Sequence, residues 1–298
     1  MRGAIGGVAA ITGKTRIYGV IGDPVGHSLS PVMQNAALGA LGVDGVYVAF
    51  RVVPDRLRDA ILGLEALGVG GVNVTIPHKE RVIEPLTRLA PEAELIGAVN
   101  TVVYRGGERI GYNTDASGFL SALQTARGPE PVRQAVILGA GGSARAVALA
   151  LARQETPLIL ANRTITRALA LANLLNEKIR PGIAQVVPWA EESLAKALES
   201  ADLLVNTTSM GMTPHEEIMP PVSPGGLGSG LFVCDLIYDP PETRLLALAQ
   251  ARGCRTLNGV PMLAHQGALA LELWLQRPAP VDLMEATLRR VLAEKCSS

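Results

Sequence analysis

The chain has 298 residues, with 27 Lys plus Arg against 27 Asp plus Glu and a formal net charge of zero. That balance argues against a nucleic-acid partner, which calls for a basic excess, and five Tyr, two Trp and three Phe are too few for a base-stacking platform. A hydrophobic share of 48% excludes intrinsic disorder and is enough for a sizeable core, while the length predicts two domains at roughly 150 residues each.

Strand patterns over 17–21, 46–53 and 72–76 alternate with helical patterns over 31–41, 55–67 and 77–86. Ser30 reads as an N-cap with Pro31 at the first helical position. Alternating strands and helices predict an α/β protein with mostly parallel sheets covered by helices. Gly128-Pro129-Glu130-Pro131 marks an internal break before a new strand over 135–138. A strand follows over 157–161, and a Gly-rich loop at 225–230 leads into another over 231–238. The chain ends with an apolar segment over 261–275 and an amphipathic helix from Asp282, where Asp282 and Glu285 have capping-box spacing.

Cys234, Cys254 and Cys296 cannot all pair within one chain, and no C-x-x-C occurs, which suits free thiols in a reducing cytosol. Residues 1–11 are too short and weak for a signal peptide, and Arg145 interrupts the best apolar run. A cytoplasmic protein with no membrane partner is expected.

The strand over 135–138 runs into Gly139-Ala140-Gly141-Gly142-Ser143-Ala144. Strand, G-x-G-x-x-A and helix form the context of the dinucleotide fingerprint. Gly139 permits the turn, Gly141 lets backbone approach a pyrophosphate, and Ala144 lets the helix lie close to the strand. By itself this pattern also fits a plain tight turn. The next strand sharpens it. At its end, where NAD enzymes carry an acidic residue, stand Asn162-Arg163-Thr164 with Arg167 a turn later. Guanidinium groups bind a 2′-phosphate that a carboxylate would repel, which favours NADP as the cofactor.

Polar residues also interrupt apolar runs in the first half. In Val72-Asn73-Val74-Thr75-Ile76-Pro77-His78-Lys79, a period of two puts Asn73 and Thr75 on one face and Val72, Val74 and Ile76 on the other. If Pro77 starts a helix, Lys79 sits in its first turn against the macrodipole, an arrangement suited to a neutral, proton-transferring amine. Ser28 and Ser30 lie after the first strand, Asn100 follows an apolar run, and Asn113-Thr114-Asp115 opens a helix. Tyr238 ends a strand pattern and Gln266 interrupts the last apolar segment. Hydroxyls and amides around one Lys and one Asp describe a site for a polyhydroxylated molecule. The four His have no metal-ligand spacing and no role is assigned to them; no metal is expected.

Together these motifs resemble the shikimate dehydrogenase family. The matching pieces are Ser28-Leu29-Ser30-Pro31, Asn73 through Lys79, Gly97-Ala98-Val99-Asn100-Thr101, Asn113 through Gly118, and Gly139-Ala140-Gly141-Gly142. They continue with Asn162-Arg163-Thr164, Asn206-Thr207-Thr208 and Gly259-Val260-Pro261-Met262-Leu263, in family order over about residues 15–275. The resemblance implies reversible, NADPH-dependent reduction of 3-dehydroshikimate to shikimate, in aromatic amino-acid biosynthesis. It implies Lys79 and Asp115 as the catalytic pair, without deciding which moves the proton. Ser28 and Ser30 are expected at the substrate carboxylate, and Asn73, Thr75, Asn100 and Gln266 at ring hydroxyls, with Tyr238 nearby. Gly139 to Ala144, Asn162, Arg163, Thr164, Arg167, Gly259 and Met262 are expected at NADP. The implied fold is a discontinuous substrate domain (1–118 and 261–298) and a Rossmann-like NADP domain (119–260), with a cleft between them. A monomer or homodimer is expected. Relatives that oxidise quinate or use NAD leave quinate open as a poor second substrate.

Overall fold

The computed structural model describes residues 11–296. Residues 1–10, which hold nearly all of the weak apolar opening segment, lie outside the described residues. The chain divides into two compact units. The first runs to Thr114 and includes Gln266–Val291; the second comprises Asp115–His265 and the residues from Leu292.

The first unit contains β1 (Arg16–Gly22), α1 (Ser30–Ala40), β2 (Gly45–Arg51), α2 (Leu57–Ala66), β3 (Gly71–Val74) and β4 (Arg88–Leu89). It continues through α3 (Pro91–Ile96), β5 (Thr101–Arg105) and β6 (Glu108–Tyr112). Its sheet has the order β2-β1-β3-β5-β6-β4. β1 is parallel to β2 and β3, and β4 to β6, whereas β5 runs antiparallel to β3 and β6. Gly106 and Gly107 turn that hairpin with φ of 60° and 77°, which side-chain-bearing residues rarely adopt. On β3, Val72 and Val74 join Ile61 and Leu64 of α2 in one apolar cluster. Asn73, between them in sequence, takes the opposite face as strand alternation requires.

The second unit is doubly wound. It contains α4 (Asp115–Arg127), β7 (Ala135–Leu138), α5 (Gly142–Arg153), β8 (Leu158–Ala161), α6 (Ile165–Lys178) and β9 (Ala184–Val186). Then follow α7 (Glu191–Leu198), β10 (Leu203–Asn206), β11 (Phe232–Asp235), α8 (Arg244–Ala251) and β12 (Arg255–Leu257). The strands are all parallel in the order β12-β11-β10-β7-β8-β9, so the strand order reverses between β7 and β10. Every residue of β7, β8, β10 and β11 is buried, as a sheet covered on both faces demands. Each fully buried Val, Leu or Ile there contributes roughly 1.5–3 kcal/mol. The loop from α4 to β7, including residues 128–131, is fastened by Asp202. Its carboxylate accepts from the N–H of Arg133 and Gln134 at 3.0 Å each and from the Arg127 guanidinium at 2.8 Å. Arg255 lies over the Phe232 ring and donates to the carbonyls of Ala126 and Arg127, which end α4.

Finally, α9 (Val260–Leu275) carries the chain from the second unit into the first, and α10 (Val281–Cys296) follows. Trp274 of α9 donates to the Val102 carbonyl at 3.1 Å and stacks on Tyr18 at 5.4 Å.

Several local expectations are corrected. Residues 77–86 form no α-helix, only a 3-10 turn at Arg81–Ile83. Tertiary contacts claim the groups a helix would use: the Lys79 carbonyl accepts from Val99 N–H at 2.8 Å, and Pro85 lacks the N–H to continue. The macrodipole argument for Lys79 therefore falls away, and Ile76 is 57% exposed beyond the end of β3. Ser30 lies inside α1 and does not cap it, because the helix begins at Ser30 itself and Leu29 takes the N-cap position. Tyr238 stands three residues past β11. Glu285 accepts from Arg289 one turn along α10 at 2.6 Å, and the helix already begins at Val281, so the capping box with Asp282 is not formed.

Among the described residues, no helix is long and apolar enough to cross a membrane. Likewise, no group of His, Cys, Asp and Glu among them could hold a metal ion. Cys234 and Cys254 are buried free thiols, and burial pushes the Cys234 thiol far up.

Candidate active site

The first unit gathers five of its predicted polar residues into one hydrogen-bonded group. Asn73 on β3 donates through Nδ2 to the Asn100 carbonyl at 3.2 Å and to Thr101 Oγ1 at 3.0 Å. Its Oδ1 accepts from the Tyr47 hydroxyl of β2 at 2.8 Å. Thr101 donates onward to Asn100 Oδ1 at 3.0 Å, which also accepts from Thr114 N–H at 2.8 Å. Asn100 Nδ2 donates to Thr114 Oγ1 at 2.9 Å and to Gln266 Oε1 on α9 at 3.3 Å. Apart from them, Ser28 Oγ accepts from Ser30 N–H at 3.3 Å. Residues 47, 73, 100–101, 114 and 266 thus share one set of bonds. Asn73, Asn100, Thr101 and Thr114 are all buried, where unmet polar groups would each cost roughly 1–3 kcal/mol.

Lys79 lies half-buried on the loop after β3, four residues past Thr75. Thr75 N–H donates to the Ile21 carbonyl at 2.9 Å and its own carbonyl accepts from His78 N–H at 2.9 Å, closing the turn. His78 is fully buried, and its Nε2 meets the Val52 carbonyl at 2.6 Å. A carbonyl only accepts, so Nε2 carries a proton in this bond. The backbone on both sides of Lys79 is therefore pinned, by His78 before it and by the Lys79–Val99 bond at it.

In the second unit, Gly139 follows β7 with φ of 114°, and a Cβ there would lie 2.4 Å from Thr207 Oγ1. Only glycine fits. Gly141, the N-cap of α5, has open space where a side chain would stand. The first turn of α5 holds no acidic residue, so its N-terminal N–H groups and dipole present an anion-binding cradle. Ala144 is buried against the sheet. Asn162 follows β8 and donates to the Thr164 carbonyl at 2.8 Å, with Arg163 and Arg167 exposed beyond it. This donor set and the open space over Gly141 fit a pyrophosphate and a 2′-phosphate, hence NADP.

A second buried web stands at the ends of β10 and β11. Asp235 accepts from Asn206 Nδ2 at 3.0 Å, Ile237 N–H at 3.1 Å and Thr243 Oγ1 at 2.8 Å. Asn206 Oδ1 in turn accepts from the Thr208 hydroxyl at 2.7 Å, and Thr207 Oγ1 donates to the Leu138 carbonyl at 2.6 Å beside Gly139. Burial raises the Asp235 carboxyl to about 6, despite the three donors that favour its charged form. Gly259 packs on the loop after β11: a Cβ would lie 2.0 Å from the Leu236 carbonyl, and its N–H donates to Ile237 at 2.9 Å. Tyr238 follows in that loop, and Met262 is buried in the first turn of α9. Asp115, also buried, opens α4.

A model of the shikimate dehydrogenase substrate binding domain matches residues 20–102, and one of the shikimate 5'-dehydrogenase C-terminal domain matches residues 259–289. A shikimate dehydrogenase (NADP(+)) from Methanopyrus kandleri is 46% identical over 286 residues, covering 95% of this chain and 98% of that one. The chain belongs to the shikimate dehydrogenase family. A crystal structure of a shikimate dehydrogenase in complex with NADP+ superposes with a TM-score of 0.91 at 40% identity, covering 97% of this chain and 99% of the other. The Thermus thermophilus shikimate 5-dehydrogenase, solved with NADP(H) and shikimate, superposes with a TM-score of 0.83 at 39% identity, covering 93% and 99%.

Within this family member, sequence reading passed over three side chains that the fold makes prominent: Tyr47, His78 and Asp235. Each looks like ordinary strand or turn filler in its local window. The one available signal was chemical, since a Tyr, His or Asp inside an apolar strand pattern must find a buried partner.

Proposed function

We propose that this chain is an NADP-dependent shikimate dehydrogenase, interconverting 3-dehydroshikimate and shikimate in aromatic amino-acid biosynthesis. The observation that carries the reading is the buried amide and hydroxyl cluster of Asn73, Asn100, Thr101, Thr114 and Gln266 in a chain that also bears the Gly139–Ala144 cradle. The first supplies hydrogen bonds for a polyhydroxylated ring, and the second supplies backbone N–H groups for a dinucleotide. On this reading residues 1–118 with 261–298 form the substrate domain and 119–260 the NADP domain.

NADPH, when bound, supplies the hydride that reduces the substrate ketone. Lys79 stabilises and protonates the oxygen on which negative charge grows, and acts as base in the reverse direction. Asp115 accepts from a neighbouring ring hydroxyl and completes the catalytic pair. Ser28 and Ser30 bind the substrate carboxylate; Ser28, which accepts from Ser30 N–H, has its own proton for that anion. Asn73, Thr75, Asn100, Gln266 and Tyr238 bind ring hydroxyls. Gly139 to Ala144 hold the pyrophosphate, Asn162, Arg163, Thr164 and Arg167 hold the 2′-phosphate, and Gly259 and Met262 also bind NADP. The protein works in the cytoplasm as a monomer or homodimer.

The test is shikimate-dependent reduction of NADP followed at about 340 nm, the reduced-nicotinamide band, with quinate and NAD as comparison substrates. Rapid turnover of shikimate with NADP and slow turnover of quinate or with NAD is expected. Faster turnover of quinate than of shikimate would overturn the substrate assignment.

A further inference from the structure

We propose that Tyr47 is a positioning residue that fixes Asn73 as a hydrogen-bond acceptor toward the ligand, so that the group opposite Asn73 must be a hydroxyl donor and not a carbonyl. The inference rests on the substrate reading above and goes beyond it by assigning the direction of the protons.

The Asn100 carbonyl can only accept, so the Asn73 atom 3.2 Å from it must be Nδ2, which settles the amide orientation. Nδ2 has two protons, and they go to the Asn100 carbonyl and to Thr101 Oγ1. The Thr101 proton is directed at Asn100 Oδ1, so Thr101 receives from Asn73 and cannot reverse. Asn73 Oδ1 therefore faces the Tyr47 hydroxyl at 2.8 Å, and Tyr47 must donate. Protons point one way along the whole path, from Tyr47 through Asn73 to Thr101 and Asn100.

Tyr47 can hold this direction because its ring is buried beside Trp274. It is 1% exposed and lies 6.1 Å from the Trp274 ring, and its hydroxyl stays protonated because burial raises its pKa well above the ordinary phenol value. Both Asn73 protons being engaged, only the second lone pair of Oδ1 remains for a ligand. That lone pair favours an O–H and repels a C=O. The Tyr47 hydroxyl thus reaches the substrate through Asn73.

Tyr47→Phe removes the donor and little else. We expect KM for shikimate to rise about tenfold, the effect of one misdirected hydrogen bond in a buried site. The value of kcat should stay within about threefold and KM for NADP should not change, because the hydroxyl is absent from the proton-transfer and cofactor groups. A purely structural hydroxyl would lower Tm without moving KM for shikimate apart from kcat, and that result would overturn the inference while leaving the function intact. Wild-type protein without shikimate-dependent activity would overturn both. If Tyr47→Phe does not fold, the Asn73 side-chain amide resonances of the wild-type protein decide the matter. Two slowly exchanging protons whose shifts hold when shikimate is added support the assignment. Protons that exchange fast, or move strongly on adding shikimate, overturn it.

Discussion

On the proposed function, the polar cluster of the first unit and the glycine turn of the second solve recognition in opposite ways. The turn after β7 works through backbone: Gly139 to Ala144 are contiguous, and their effect comes from φ angles, a missing Cβ and a helix N-terminus. The cluster around Asn73 works through side chains drawn from residues as far apart as Asn100 and Gln266. Backbone recognition leaves a short fingerprint in sequence, whereas side-chain recognition leaves scattered polar residues whose roles depend on their partners.

Substitutions sharpen that contrast. The largest effect is expected at the proton-transferring group: Lys79→Ala should lower kcat by roughly 10²–10⁴ while NADPH affinity holds. Stopped-flow turnover with a fluorescence titration of NADPH checks both halves, and unchanged turnover would end the assignment. Gly139→Ala tests the backbone mode. The Cβ would meet Thr207 Oγ1 and the φ of 114° would be strained. Roughly 1–3 kcal/mol of strain should weaken NADPH binding on the order of 10- to 100-fold, with shikimate binding largely kept. Arg163→Ala tests the side-chain contact proposed for the 2′-phosphate. It should weaken NADP about tenfold and leave NAD alone, narrowing the NADP/NAD preference in steady-state kinetics.

The smallest effect on activity is expected at Asp235, where the consequence is stability. Its carboxyl has a folded-state pKa of about 6 against an ordinary value of 3.8, so between those values the folded protein holds a proton that the unfolded chain has lost. The associated stability is present below about pH 4 and disappears as pH rises through about 6, on the order of 3 kcal/mol in all. Asp235→Asn keeps an acceptor for Asn206 and Ile237 without the buried charge. It should flatten the fall in Tm between pH 4 and 7 and melt higher than wild type at pH 8. A steeper fall in the variant would show that the ionised carboxylate is stabilising.

Legibility followed the range of the interactions. The strand at 135–138 and the turn after it were readable residue by residue, because an apolar run and a glycine pattern are local signals. The helix expected over 77–86 was not formed, because Val99 N–H takes the Lys79 carbonyl and the Val52 carbonyl takes His78, contacts from 20 and 26 residues away. Ser30 is a second miss: its residue type fits a cap, but the helix takes Leu29 as N-cap and starts at Ser30.

The order of motifs, the α/β alternation, the glycine turn and the basic residues after β8 were determined by the sequence itself, since each depends on residues adjacent in the chain. Tertiary structure alone decided which polar groups meet. A side-chain amide has two faces and a hydroxyl can donate or accept, so Asn73 and Tyr47 acquire a fixed direction only when distant carbonyls leave them one arrangement without an unmet buried group.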